Sequence, residues 1–122
     1  MLLVDSSGWI EFFTDGPRAA EYAGHLKDTG RIITPTIVLY EVYKKIRKER
    51  TEDEALQAVS IMNRTRVLEL SESIALLAAD LSIKHGLPMA DAIVYATAME
   101  SDCKVMTGDS HFRGLKGVVL VE

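Results

Sequence analysis

The stretch Leu87–Thr107, L-P-M-A-D-A-I-V-Y-A-T-A-M-E-S-D-C-K-V-M-T, sets two apolar runs back to back. Leu87 to Met99 reads as a nearly uncharged buried helix, opened by Pro88 and carrying one acid, Asp91, in its first turn. Lys104 to Thr107 is short enough for a buried strand. A helix feeding a strand in this way is the repeating unit of an α/β domain. Val94, Tyr95 and Ala98 follow Asp91 at helical spacing, so the acid sits on or beside an apolar face. An isolated carboxylate buried there protonates or finds a cation. A first-turn acid also complements the helix macrodipole, which requires no function.

Working outward, the same alternation runs through the chain. Met1 to Val4 reads as a first strand, ending on Asp5-Ser6-Ser7, whose polar side chains suit the cap of a short helix from Gly8 to Phe13. A second helix starts at Pro17 and reaches about Lys27, and Arg31 to Thr34 is a second strand. Thr34-Pro35-Thr36 caps a helix from Ile37 to Glu49. Thr51 and Glu54 form a capping box that opens another helix, to about Asn63. Val67 to Leu70 is a third strand. Ser71 to Ser73 cap a helix with Ile74, Leu77, Ala78 and Leu81 on one face and Gly86 at its end. After Lys104–Thr107, Val118 to Val121 makes a fifth strand. With no repeat, linker or low-complexity segment, residues 1–122 read as one α/β domain. The expected architecture is a three-layer α/β/α sandwich around a five-stranded, mostly parallel sheet with right-handed crossovers.

Bulk composition narrows the function classes. Hydrophobic residues at 48% and charged residues at 26% describe an ordinary soluble globular protein. The formal charge of −4 argues against coating nucleic acid by bulk electrostatics, and leaves room for a local basic patch. Cys103 is the only cysteine, which excludes an internal disulfide and a thiolate zinc site. The opening M-L-L-V-D is too short and insufficiently basic for a signal peptide, and no run has the length of a membrane span. A cytoplasmic protein without membrane association is expected.

In parallel α/β sheets the working crevice lies beyond the carboxyl ends of the strands, where strand order reverses. Asp5 ends the first strand, Glu41 lies early in the helix leaving the second, Asp109 follows the end of the fourth, and Asp91 opens the helix that feeds it. All four therefore fall on one edge of the sheet. Each has a structural alternative: Asp5 as a helix cap, Glu41 paired with Lys45, Asp109 as a turn acid after Gly108. Taken jointly, converging carboxylates repel and raise a pKa unless a divalent cation neutralises them. An all-oxygen site suits Mg²⁺ or Mn²⁺, and the lack of cysteine or clustered histidine argues against zinc.

Four segments in register over the whole chain resemble a PIN domain of the VapC toxin type. They are Asp5-x-Ser7 after an apolar strand, Glu41 on an early helix, A-D-A-I-V-Y-A-T-A around Asp91, and V-M-T-G-D-S-H-F ending at Phe112. The resemblance implies a five-stranded parallel sheet and a Mg²⁺- or Mn²⁺-dependent ribonuclease leaving a 5′-phosphate. By position, Asp5, Glu41, Asp91 and Asp109 match the family's acidic quartet, and Ser7 and Thr107 its small hydroxyl residues beside the metal. Those hydroxyls would position water or a scissile phosphate oxygen. Many relatives carry a further acid where this chain has His111, which puts a second metal in doubt; a lone loop histidine reads first as solvated.

The function expected is hydrolysis of an RNA phosphodiester by metal-activated water, with Asp5 and Asp91 holding the ion directly. Glu41 and Asp109 would act directly or through water. Lys44, Lys45, Arg47 and Lys48, with Arg50, read equally as a phosphate track or a solvated helix face. The resemblance also implies a cognate antitoxin and a homodimer, with Tyr40 and Tyr43 available to an interface. Trp9, Phe12 and Phe13 read as core or dimer contacts. A phosphatase using Asp5 as nucleophile is disfavoured because Ser7 stands where a second aspartate is wanted. The remaining alternative is a non-catalytic PIN-like module that binds RNA or protein.

Overall fold

Leu2–Val4 (β1) is the central strand of the computed structural model, which describes residues 1–122. The chain continues through helices α1 (Ser6–Phe13) and α2 (Ala19–Leu26) to strand β2 (Ile32–Pro35). Helices α3 (Thr36–Glu49) and α4 (Glu52–Met62) lead to β3 (Arg66–Leu68), and α5 (Glu72–His85) and α6 (Met89–Glu100) to β4 (Lys104–Thr107). A single 3₁₀ turn, Ser110–Phe112, connects to β5 (Val118–Leu120). The sheet order is β3-β2-β1-β4-β5 and every pair is parallel, so "mostly parallel" becomes wholly parallel. Connections from β1 to β3 advance one way along the sheet, and β3 to β4 returns past β1. Right-handed crossovers then place the two sets of helices on opposite faces, giving the three layers.

Burial explains why these segments take these places. Leu3, Val4 and Val105 are fully buried, as a strand covered on both faces requires. In α6 every residue from Ala92 to Ala98 is buried, so an uncharged helix is the only kind that fits there. Thr97 satisfies its hydroxyl on the Ile93 carbonyl at 2.7 Å, and the Tyr95 hydroxyl donates to the Lys116 carbonyl at 2.6 Å. Trp9 is wholly buried and stacks on Phe13, which makes it core rather than a base-stacking platform.

The expected caps form at Thr51, whose hydroxyl accepts the Glu54 N–H at 3.1 Å, and at Ser71, which accepts from Ile74. Gly86 closes α5 in the left-handed region at φ 67°. Several boundaries differ from the expected ones. Helix α1 begins at Ser6, two residues early, because the Asp5 carbonyl accepts N–H groups from Gly8 and Trp9. Helix α2 begins at Ala19 rather than Pro17, since Glu11 binds the Arg18 N–H and holds Gly16–Arg18 in a turn. Strand β3 starts at Arg66, because the Thr65 hydroxyl binds the Met62 carbonyl at 2.6 Å and turns the chain into the sheet at once.

At Gly8 two effects of adding a side chain oppose each other. Alanine improves helix propensity by about 1 kcal/mol. Its Cβ would lie 2.7 Å from Tyr22 Cδ1 and 2.8 Å from Val4 Cγ1, both on buried residues that cannot move aside. Overpacking of this kind costs about 1–3 kcal/mol, so the clash outweighs the propensity. Gly8→Ala should lower the melting temperature by several degrees in thermal denaturation followed by circular dichroism; an unchanged or higher value would contradict this packing.

Candidate active site

Strand order reverses between β1 and β4, which are neighbours in the sheet although distant in sequence. The chain leaves their carboxyl ends in opposite directions, which opens a crevice. The Asp5 N–H bonds the Met106 carbonyl at 3.0 Å, continuing the β1–β4 ladder and setting Asp5 beside Thr107. Asp5 is at the cap position of α1, yet its carboxylate does not cap the helix. Instead Thr107 donates its hydroxyl proton to Asp5 Oδ2 at 2.8 Å. With that proton committed, Ser7 must donate in the 3.3 Å contact with Thr107 Oγ1. Thr107 Oγ1 also accepts the Asp109 N–H at 3.0 Å, and Ser7 Oγ accepts the Gly108 N–H at 3.1 Å. The two hydroxyls therefore tie the loop after β4 to the start of α1. Below them lies the Tyr22 phenol, whose pKa burial pushes up to about 12.

The acids share one electrostatic environment. Asp5 is 3% exposed, and burial raises its pKa against the hydrogen bonds from Thr107 and the Ser6 backbone. The charge of Asp109 adds to the rise. Glu41 is raised first by burial and then by the charge of Asp5, with Asp109 contributing. The alternative pairing of Glu41 with Lys45 does not form, because Lys45 bonds Glu49 at 2.5 Å. Asp91, with a side chain 13% exposed, is raised to about 7. Burial is the main cause, followed by a hydrogen bond with Asp109 and the charges of Asp109 and Asp5, while His111 opposes the rise.

His111 stands at these carboxylates rather than in solvent alone. Its Nδ1 lies 2.9 Å from Asp109 Oδ1 and 3.1 Å from Asp91 Oδ2. Asp109 Oδ1 also accepts the His111 N–H at 2.9 Å, which folds the 3₁₀ turn back on itself. The next residue, Phe112, is fully buried and packs edge-on against Tyr95, anchoring that turn. Asp109-x-His111 followed by a buried aromatic was the available signal in the sequence. Donor atoms of Asp91, Asp109 and His111 all lie within 4.8 Å of one another. Asp5 and Glu41 stand outside that tight group, close enough for their charges to act on it or on one another.

No lysine or arginine pairs with any of the four acids; the ion pairs of the other basic side chains go to Glu49, Glu52, Glu54 and Glu122. A cluster of raised carboxylates, with oxygen donors and no fixed lysine or arginine, fits a hard divalent cation. Cys103 precedes the start of β4, at the opposite edge of the sheet from this crevice. Next to Glu41 is a surface depression lined by Tyr40, Lys44, Lys45, Lys48 and Glu49. Arg47 does not join it but reaches Glu52 at 3.7 Å, and Arg50 reaches Glu54 at 3.5 Å. Of the basic residues expected to bind substrate, the structure thus brings three lysines together beside Glu41 and turns Arg47 away.

Several solved structures are similar over nearly the full length. A toxin–antitoxin complex from Klebsiella pneumoniae matches with a TM-score of 0.81 and 26% identity, covering 98% of this chain and 96% of that one. VapC20 from Mycobacterium tuberculosis, described as a sarcin-ricin loop cleaving toxin, matches with a TM-score of 0.82 and 17% identity, covering 99% and 98%. DNA-bound VapBC from Salmonella typhimurium gives 0.76 and 20%, covering 98% and 96%. Comparison with curated protein sequences gives no match. The family model for the PIN domain matches residues 2–118, almost the whole of the sheet and its helices. This chain belongs to the PIN-domain family.

Proposed function

We propose that this protein is a divalent-metal-dependent endoribonuclease, the toxin of a VapBC-type toxin–antitoxin pair. One observation supports the reading: Asp91 and Asp109 cluster at the reversal of strand order, Asp5 and Glu41 are near enough for their charges to act there or on one another, and no lysine or arginine pairs with any of the four. Similarity to a toxin–antitoxin complex and to a toxin that cleaves RNA supports the biological role. Asp5 and Asp91 would hold the ion directly, with Glu41 and Asp109 holding it directly or through water. When bound, a divalent ion supplies acidity to a coordinated water and neutralises charge on the phosphoryl oxygens.

The chain's own residues do the rest. Thr107 fixes the Asp5 carboxylate through its hydroxyl, and Ser7 fixes Thr107 and the Gly108 backbone, so both are positioning residues. Water adds to phosphorus and the bond to the 3′ oxygen breaks, leaving a 5′-phosphate and a 3′-hydroxyl. Glu41, whose pKa is raised by burial and by the charge of Asp5, would take the water's proton, and the departing 3′ oxygen would gain one. Lys44, Lys45 and Lys48 would carry the flanking phosphates past Glu41. Changing Lys44 and Lys48 together to glutamine should weaken RNA binding and make its salt dependence shallower by about two ion equivalents in fluorescence anisotropy. An unchanged salt slope would place the RNA elsewhere.

The toxin role is tested by inducing the protein in a bacterial host. Expected results are growth arrest and new RNA fragments with 5′-phosphate ends, both absent with Asp91→Asn and both suppressed by the cognate antitoxin. Intact RNA under arrest, or arrest that persists with Asp91→Asn, would contradict the reading. The compartment consistent with this role is the cytoplasm; no helix is long and apolar enough to cross a membrane.

A further inference from the structure

We infer that His111 is itself a metal ligand through Nδ1, so that the centre is a mixed nitrogen–oxygen site that favours transition ions such as Mn²⁺ or Co²⁺ over Mg²⁺. The inference rests on the reading that the crevice holds a divalent ion, and goes beyond it by giving a ligand outside the acidic quartet. Its basis is the grouping of one imidazole nitrogen with two carboxylate oxygens, all mutually within 4.8 Å. The Nδ1 separations of 2.9 Å and 3.1 Å from Asp109 Oδ1 and Asp91 Oδ2 match the spacing of neighbouring ligands around one ion. Octahedral bonds of about 2.1 Å at right angles put adjacent donors about 3 Å apart.

The local structure directs Nδ1 at this place. The bond from the His111 N–H to Asp109 Oδ1 and the buried Phe112 fix the backbone on either side of the ring. A neutral imidazole has one nitrogen free to coordinate and carries its proton on the other. Without an ion, Nδ1–H donates to the two carboxylates at 2.9 Å and 3.1 Å; an ion taking the place of that proton would bind Nδ1 and leave the ring proton on Nε2. The side chain is 58% exposed, so the remaining N–H is available to water or to a substrate oxygen. Imidazole nitrogen suits first-row transition ions, whereas an oxygen-only set suits Mg²⁺. An acid at this position would complete an oxygen set, and histidine changes the selectivity.

The test is calorimetric titration of the purified protein with MgCl₂, MnCl₂ and CoCl₂, using wild type, His111→Ala and His111→Asp. Exposure of the side chain lets both variants fold, and their melting temperatures in EDTA check this. Expected for His111→Ala is a loss of Co²⁺ and Mn²⁺ affinity of about tenfold or more, with Mg²⁺ affinity changing less than about threefold. His111→Asp should strengthen Mg²⁺ binding and reduce the preference for Co²⁺. Pulsed electron paramagnetic resonance of the Mn²⁺-loaded protein should show coupling to one imidazole nitrogen that His111→Ala removes. Unchanged or tighter Co²⁺ binding by His111→Ala, without nitrogen coupling in wild type, would overturn the inference and make the ring only a counter-ion displaced by the metal. Wild type that binds none of the three ions would overturn the nuclease reading with it.

Discussion

Asp5→Asn should reduce RNA cleavage by at least about 100-fold, the upper end of the cost of removing a group that merely supports a metal ligand. The same variant should remain folded, with a melting temperature in EDTA at least equal to that of wild type. The two expectations have one cause. Asp5 is 3% exposed and its pKa is raised by burial, so its charge opposes folding in the absence of an ion. Asparagine has the same shape, and its side-chain oxygen can still accept the 2.8 Å hydrogen bond from Thr107. The substitution removes a charge and keeps the network. Rates under single-turnover conditions, with melting curves on the same preparations, separate loss of chemistry from loss of structure. An active Asp5→Asn enzyme would contradict the role assigned to Asp5; an unfolded one would contradict the account of its hydrogen bonds.

The metal-free protein should lose stability as pH rises from about 5 to about 8. Asp91 is raised from 3.8 to about 7, so between those values the folded chain holds a proton that the unfolded chain has released. Folding is therefore favoured at the acid end, and that advantage is lost as pH rises toward the folded pKa. Asp5 and Glu41, also raised, act in the same direction. Each pKa unit corresponds to about 1.4 kcal/mol. A fall of several degrees in melting temperature is the expected scale. A saturating divalent ion should reverse the trend, because it favours the charged carboxylates. At a hundredfold excess over its Kd, an ion adds about 2.7 kcal/mol. Scanning fluorimetry at pH 5, 6.5 and 8, with EDTA or Mn²⁺, measures both effects, and Asp91→Asn should flatten the metal-free slope. A metal-free melting temperature that rises between pH 5 and 8 would contradict the electrostatics of the crevice.

Local signals made most of the fold legible. Leu87–Thr107 reads as a buried helix and strand because burial on all sides leaves no room for charge, and α6 is buried throughout its middle. Thr51, Ser71 and Gly86 mark helix ends by chemistry confined to a few residues, and the structure places them as expected. The four acids were found through topology, since parallel strands with crossover helices put them on one edge. What escaped depends on contacts between distant segments. The hydroxyl network joins Ser7 to Thr107 across a hundred residues, and it exists only because β1 and β4 are neighbours. Likewise the Gly8 requirement comes from the Tyr22 ring of another helix. His111 reads as solvated when taken alone, and its turn toward the acids depends on Asp109 below it and Phe112 beside it. Arg47 belongs to the basic run in sequence but faces Glu52 across the α3–α4 turn.

The most direct test of the central claim is cleavage of single-stranded and structured RNAs by the purified protein, in Mg²⁺, Mn²⁺ or EDTA, beside Asp5→Asn and Asp91→Asn. The account predicts metal-dependent cleavage that leaves 5′-phosphate ends, lost in EDTA and in both variants. Cleavage that survives EDTA or survives both substitutions would show that these carboxylates do not perform the reaction.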